Sequence, residues 1–527
     1  MIDYIVFVDA DSGMVVPESD ICKKCIIFGA GHMGIAYFDH ISIKYNVVAF
    51  ADNNPHLWGS IIHSVPVISR DELKHWTRDG DVDILACTYF ANEIIIEQLK
   101  KMNLRARIIV PKLLEYVQDD ENSLIDEKTF ETLIKKSKQQ YLERPRGETI
   151  KIVFLVHYLQ LFSSYESIYE EMVEDNRFEP TIVLLPKRGS GEGHFFKYDT
   201  PLEEAMQKRE YPYKMAYKDG QWLDLYSLDP DGIFYQTPYT FPQLPTIYRE
   251  FNYSDHIKIL HTPYGVLPVD DPSSLLGEKS GPYADFLNNC WRLFLDKPNY
   301  DAFINDPLIT DKIVLTGTPK VDFYVRGIEN SDIYFKDIKS KKILYTPTWM
   351  ATQGRSSFLK YYDYFLQLIQ KNGIELALRP HPLLIPELES TGLITKSELD
   401  RILDIFKNSE NCLFDLYGDY RCALLASDFA IMDISSLTYE YLPTGKPLIL
   451  TMQSEDRFGV KQFIKDASYI AENREQLEYF INILIAGEDP MREKRLQIIN
   501  SLDSLFPNGG TNGAYICNYI AQNIRNT

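Results

Sequence analysis

The sequence predicts an α/β protein of parallel, doubly wound sheets, and three observations carry that expectation. Strand-length apolar runs alternate with segments of helical length along most of the chain. A glycine-rich turn follows an early run and opens a helix. Two further strand–helix units follow in tandem, and the motifs with chemical potential concentrate in the second of them.

Taken in order, residues 24–28 read as a strand, followed by Gly29-Ala30-Gly31-His32-Met33-Gly34 and a helix through residue 40. Residues 47–50 form a second strand ending at Asp52. Residues 84–87 and 108–110 are later strands, with a helix around 93–102 between them. This first unit spans 1–118. Residues 119–149 are charged and helix-prone and read as a helical linker. A second unit opens at 150–156, runs into a helix near 165–174 and returns as a strand at 181–185. The third begins at the strand 342–345, and the helices from about Arg474 onward are expected to cross back over the second. The domains are thus 1–118, 150–335 and 336–527 around the linker. Two nucleotide-type α/β domains in tandem predict a GT-B pair with its site in the cleft between them, outside the C-terminal strand ends.

Composition narrows the function. With 527 residues, 45% hydrophobic and 25% charged, the chain can bury sizeable cores. A net charge of −20 argues against nucleic acid as a partner, which needs a basic face, and limits membrane association to a peripheral contact. No run approaches the roughly 20 apolar residues of a spanning helix. The N-terminus lacks a basic, then apolar, secretory pattern. The expected location is the cytoplasm, at most at the inner face of the cell membrane. Seven cysteines in so long a chain imply reduced thiols, and Cys22/Cys25 is a CxxC spacing with no second pair.

The most informative stretch is 428–447. Residues 429–432 read as a buried strand, 433–436 as a polar turn, and 437 onward as a helix with Ser435 or Ser436 near its N-cap. A helix start exposes unpaired N–H groups to which phosphate binds, although an ordinary capped helix has the same pattern. Arg379-Pro380-His381-Pro382 upstream, also after an apolar run, adds cationic and ionisable groups and points to a nucleotide-diphosphate site.

Residues 150–500 resemble the CDP-glycerol:poly(glycerophosphate) glycerophosphotransferase family of teichoic-acid and capsule synthesis. Leu315-Thr316-Gly317-Thr318-Pro319-Lys320-Val321-Asp322 resembles the family's Gly-x-Pro-Arg-x-Asp segment, with Lys320 for Arg. Residues 343–349, ending Pro347-Thr348-Trp349, resemble its Leu-Tyr-x-Pro-Thr-Trp segment. Arg379-Pro-His381-Pro and Asp433-Ile-Ser435-Ser436 with Glu440 resemble its remaining motifs. Two departures stand out. Met350 occupies the place of a family Arg, the nearest cation being Arg355. His261-Thr-Pro-Tyr-Gly265 matches the family's His-Gly segment only loosely, with no following Lys.

The resemblance implies a transferase that moves a polyol phosphate from a CDP-activated donor to a saccharide or lipid-linked polymer acceptor, releasing CMP. It implies His261 as candidate base, with a ring that satisfies a backbone carbonyl as the alternative. It implies His381, Arg379, Ser435, Ser436, Lys320 and Thr348 around the donor, and Glu440 at the ribose or as a helix-dipole partner. Asp-x-Asp pairs occur at Asp9/Asp11, Asp81/Asp83 and Asp229/Asp231 but sit in turn-like settings, so transfer is expected to require no metal and no cofactor. The Gly29/Gly31/Gly34 turn with Asp52 fits a nucleotide, nucleotide-sugar or NAD(P) fingerprint, with no dehydrogenase-like pair after it. A UDP-sugar glycosyltransferase and a nucleotide-sensing scaffold with a vestigial site are the rival readings.

Overall fold

A computed structural model describes all of the chain but residues 1–4, 13, 18–23, 31–33, 35–37, 39–40, 88–91, 114, 118–119, 126, 189–194, 267–281, 305–308, 328–333, 337–338, 417–418, 453–459, 503–509 and 526–527. Three large sheets organise it. In the first, Val65–Ser69, Asn46–Asp52, Lys24–Phe28, Val82–Ala86 and Ile108–Leu113 lie side by side and parallel. Ile5–Asp9 adds an antiparallel edge against Ile108–Leu113. The expected strands are all present, and the strand order reverses on either side of Lys24–Phe28, as in a Rossmann-like sheet.

The second sheet is wholly parallel, in the order Tyr213–Met215, Phe178–Leu184, Ile150–Val156, Gly232–Tyr235, Lys258–His261, Arg292–Leu295 and Ile313–Leu315. The third repeats the plan with Cys412–Phe414, Ile374–Leu378, Lys341–Thr346, Phe429–Asp433, Leu448–Thr451 and Tyr469–Ala471. Continuous apolar strands such as Phe429–Asp433 are buried along their whole length because helices cover both faces. Lys396–Asn408 shows how such a helix is made. The Thr395 hydroxyl accepts from the Glu398 N–H at 3.3 Å, and Leu399, Ile402, Leu403 and Phe406 form one buried stripe. Each of those side chains stabilises by roughly 1.5–3 kcal/mol on burial.

Two expectations change. The stretch after residue 118 is not all helix: Asp120–Ile125 is a strand, and only Glu127–Glu143 is helical. With Glu115–Val117, that strand joins a small sheet completed by Phe195–Lys197 and Lys187–Arg188 of the second unit. Asp120–Ile125 pairs with its hairpin neighbour Glu115–Val117, which in turn pairs with Phe195–Lys197, an edge that local charge and propensity do not encode. The terminal crossover is also narrower than expected. Arg474–Ile485 contributes Leu477, Ile481 and Leu484 to the third unit's core, whereas among the described terminal helices Asn512–Asn523 returns to the second, placing Ile516, Cys517 and Ile520 in that core. Gly513 makes this approach feasible, since a Cβ there would lie 2.5 Å from Ser167 Oγ. The buried Asp322 fastens the crossing by accepting from Ser167 Oγ at 2.6 Å, Asn512 N at 2.9 Å and Gly513 N at 2.8 Å.

Among the described residues, no helix is long and apolar enough to cross a membrane.

Candidate active site

The C-terminal ends of the second and third sheets face one cleft of about 350 Å³. His261 and Pro263 to Val266 line it from one side; Thr348 to Met350, Arg355, His381 and Ile434 to Ser436 line it from the other. The loops at Thr348 and Ile434 leave adjacent strands where the third sheet's order reverses, the position at which open α/β sheets bind ligands. The halves meet closely here. Gly265 has no side chain, and a Cβ at that position would sit 3.6 Å from Ser436 Cβ.

His261 is buried and His381 half-buried, and they present opposite tautomers. His261 ends the strand Lys258–His261, and its Nδ1 lies 2.7 Å from the Tyr235 carbonyl oxygen. A carbonyl only accepts, so Nδ1 carries the proton and Nε2 the lone pair. The ring satisfies a backbone carbonyl, and the same bond leaves Nε2 as the nitrogen with the lone pair. In His381 the Leu383 N–H donates to Nδ1 at 3.2 Å, so Nε2 carries the proton and is a donor. The His381 N–H donates to the Pro347 carbonyl at 3.0 Å, which ties this turn to the Thr348 loop. Burial lowers both rings to about 4, so both are neutral near pH 7.

Asp433 holds the opposite wall. It is fully buried; one carboxylate oxygen accepts from Thr348 N at 2.8 Å and Ser357 N at 2.9 Å, and the other from the Thr451 hydroxyl. Burial raises its carboxyl to about 6, against the pull of those donors. Ser435 is the N-cap of the short helix Ser436–Tyr441, and its hydroxyl is not used in a cap bond. Thr348, His381, Ser435 and Ser436 are thus brought together with His261.

Three expected donor contacts are not. Arg379 does not line the cleft; its guanidinium pairs with Asp415, beyond the strand Cys412–Phe414. Lys320 and Glu440 pair with each other at 2.7 Å, exposed by only 6% and 0%. Lys320 also donates to the Tyr264 carbonyl at 2.9 Å, and Glu440 accepts from Tyr420 OH at 2.7 Å. Glu440 therefore faces neither ribose nor solvent: its charge is spent on an inter-domain ion pair. Sequence reasoning noted Arg355 only as the nearest cation to Met350; the structure puts it in the cleft wall.

The Asp-x-Asp pairs are occupied elsewhere. Asp83 pairs with Arg107 at 2.8 Å and Asp81 with Lys24 at 3.2 Å. Asp9 accepts from Ser12 N at 2.8 Å. Asp231 binds Arg525 at 2.9 Å, at the N-terminal end of Gly232–Tyr235 and so at the opposite sheet edge from the cleft. In the first unit, Gly31 lies outside the described residues. Gly29 adopts φ 112°, and a Cβ on Gly34 would fall 1.8 Å from the Gly29 carbonyl oxygen, so both positions require glycine. Asp52 accepts from Ala30 N at 2.7 Å and Asn54 N at 2.8 Å; the carboxylate assigned to ribose fastens the glycine turn to the next strand end.

Comparison with known proteins follows the same division. A family model described as CDP-glycerol:poly(glycerophosphate) glycerophosphotransferase matches residues 305–473, and one described as C2185-like, N-terminal, matches residues 21–110. No curated protein matches the chain. The wall teichoic acid polymerase TagF shares the fold, with a TM-score of 0.51 at 14% identity over 75% of this chain and 95% of that one. A putative UDP-N-acetylglucosamine 2-epimerase from Listeria monocytogenes aligns with a TM-score of 0.49 at 12% identity, over 72% of this chain and 98% of that one. The UDP-GlcNAc 2-epimerase from Neisseria meningitidis gives 0.47 at 14%, over 71% and 100%. The chain carries a Rossmann-like domain followed by a GT-B pair, and its residues 305–473 match the model of the CDP-glycerol:poly(glycerophosphate) glycerophosphotransferase family.

Proposed function

We propose that the chain transfers a polyol phosphate, glycerol phosphate or a close analogue, from a CDP-activated donor to a saccharide or lipid-linked polymer acceptor of the cell surface, releasing CMP. The observation that carries this reading is the pair of neutral histidines with opposite tautomers in one cleft. An acceptor hydroxyl attacks the donor's outer phosphorus, and its proton passes to His261 Nε2. The P–O bond to the CMP phosphate breaks as the new phosphodiester forms. His381 Nε2–H and the Ser435 and Ser436 hydroxyls donate to phosphate oxygens as charge shifts towards the leaving group. The family match to residues 305–473 supports the transferase class, and TagF, which shares the fold, is a wall teichoic acid polymerase.

Calorimetry on the full chain tests the donor. CDP-glycerol is expected to bind more tightly than UDP-sugars. Replacing Ser435 and Ser436 together with alanine should weaken it by about 1–3 kcal/mol, the loss of one or two phosphate hydrogen bonds. Preference for a UDP-sugar would replace this reading with a glycosyltransferase.

A further inference from the structure

The two halves of the cleft differ in chemistry. Thr348, His381, Ser435 and Ser436 make the third unit's side polar. Among the described residues lining the second unit's side, none is charged near pH 7, and apart from two tyrosine hydroxyls its polar side chains are His261 and Asn299. Asn299 lies on the helix Lys297–Phe303, one turn before Phe303, and is 2% exposed. Both of its amide hydrogens are engaged: Nδ2 donates to the Gly265 carbonyl at 3.2 Å and to Asp296 Oδ2 at 2.6 Å. A carbonyl and a carboxylate only accept, so the amide has one orientation and Oδ1 is an acceptor. No described group donates to Oδ1, and it is not among the unpartnered atoms sealed from solvent, so its lone pairs open onto the cleft. Beside it the wall is apolar. Leu293 is the sheet partner of His261, Leu295 follows on the same face, and both line the cleft with Phe303.

We propose that Asn299 is an acceptor-binding residue that selects an uncharged acetamido sugar. The acetamido N–H donates to Asn299 Oδ1, its methyl rests against Leu293, Leu295 and Phe303, and a hydroxyl of the same ring meets His261 Nε2. The inference rests on the transfer reading above and names the class of its acceptor. Two lone-pair acceptors on a wall without a cation suit a neutral group that brings two donors, and they disfavour a phosphate-bearing polymer end. A bare hydroxyl would satisfy Oδ1 but leave the apolar wall unfilled. An alkyl group would fill the wall but leave Oδ1 unpaired. The acetamido group answers both. The place is also built: Asn299 ties its helix to Gly265 in the loop after His261, and Asp296 Oδ1 accepts from Asn299 N at 2.9 Å. Base and amide oxygen are thereby fixed in one wall.

The test is competition between acceptors on the full chain with CDP-glycerol as donor. The methyl glycosides of N-acetylglucosamine and N-acetylmannosamine compete with that of 2-deoxyglucose, the sugar that both become without the acetamido group. The ratio of products reads specificity and does not depend on how much of a variant is folded. The wild type is expected to prefer one acetamido glycoside by about 10- to 100-fold. Asn299→Ala should lower that preference about tenfold and leave CDP-glycerol affinity unchanged. Leu295→Phe, which fills the methyl's place and spares the bonds of Asn299, should lower it too. A wild type without the preference overturns the assignment, and so does Asn299→Ala with the preference intact, which would show that Asn299 only supports the loop. Saturation-transfer NMR without donor separates the two readings. Saturation of an acetamido methyl that Asn299→Ala abolishes, in a chain that ignores CDP-glycerol, would sustain Asn299 and remove only the donor reading. An acetamido methyl that receives no saturation from the wild type overturns the assignment.

Discussion

Replacing His261 with alanine is expected to lower turnover about 10²–10⁴-fold while leaving donor affinity nearly unchanged. The expectation follows from where the proton sits. Tyr235 O fixes the Nδ1 proton, so Nε2 is the acceptor and no other group on that side of the cleft has the same geometry among the described residues. His261→Gln, which keeps much of the volume, should fall nearly as far. The pH profile adds a second readout. Burial lowers His261 to about 4, so protonation removes the base only as pH falls through that value. The acid limb of kcat/KM is expected near pH 4, not near the 6.5 of a solvated imidazole. A folded His261→Ala chain with normal turnover, or an acid limb at 6.5 that this substitution does not move, would remove the base assignment.

The second large effect concerns stability. Glu440→Ala should destabilise the GT-B pair by about 3–5 kcal/mol, because it strands the Lys320 ammonium in a site that is 6% exposed. Lys320→Met should cost a similar amount by stranding Glu440. The Lys320→Met/Glu440→Gln double variant should recover much of the loss, since apolar or neutral partners avoid burying an unpaired charge. The cluster reaches both domains. Tyr264, Ser163 and Lys320 belong to the second unit, and Glu440 and Tyr420 to the third. Loosening it should therefore also soften the cleft. Midpoints of thermal and urea unfolding, followed for the two singles and the double, check the cycle; additive losses would show that the pair is not coupled.

Why the sequence misplaced Lys320 and Glu440 is visible in that cluster. Both lie in motifs read from the sequence as a phosphate site, and of those motifs Ser435, Ser436 and His381 line the cleft. Spacing reports which strand end a residue leaves, because the strand–turn–helix pattern fixes it locally. It does not report which way a long side chain turns. Glu440 meets a lysine 120 positions earlier, and Arg379 meets Asp415 across a sheet edge. The same limit applies to the hairpin of Glu115–Val117 and Asp120–Ile125, whose first strand pairs with the distant Phe195–Lys197. Strands buried on both faces were legible because continuous apolar runs leave few alternatives. His261 was legible as a strand-end histidine, but the tautomer that gives it chemistry depends on Tyr235, a neighbour in the sheet and not in the chain.

Phosphorus NMR of the full chain incubated with CDP-glycerol and a lipid-linked saccharide primer tests the central claim most directly. The CDP-glycerol diphosphate signals are expected to decay while CMP and one new phosphodiester signal appear in equal amounts, and His261→Ala is expected to slow both together. CDP-glycerol that stays intact while a UDP-sugar is consumed under the same conditions would contradict it.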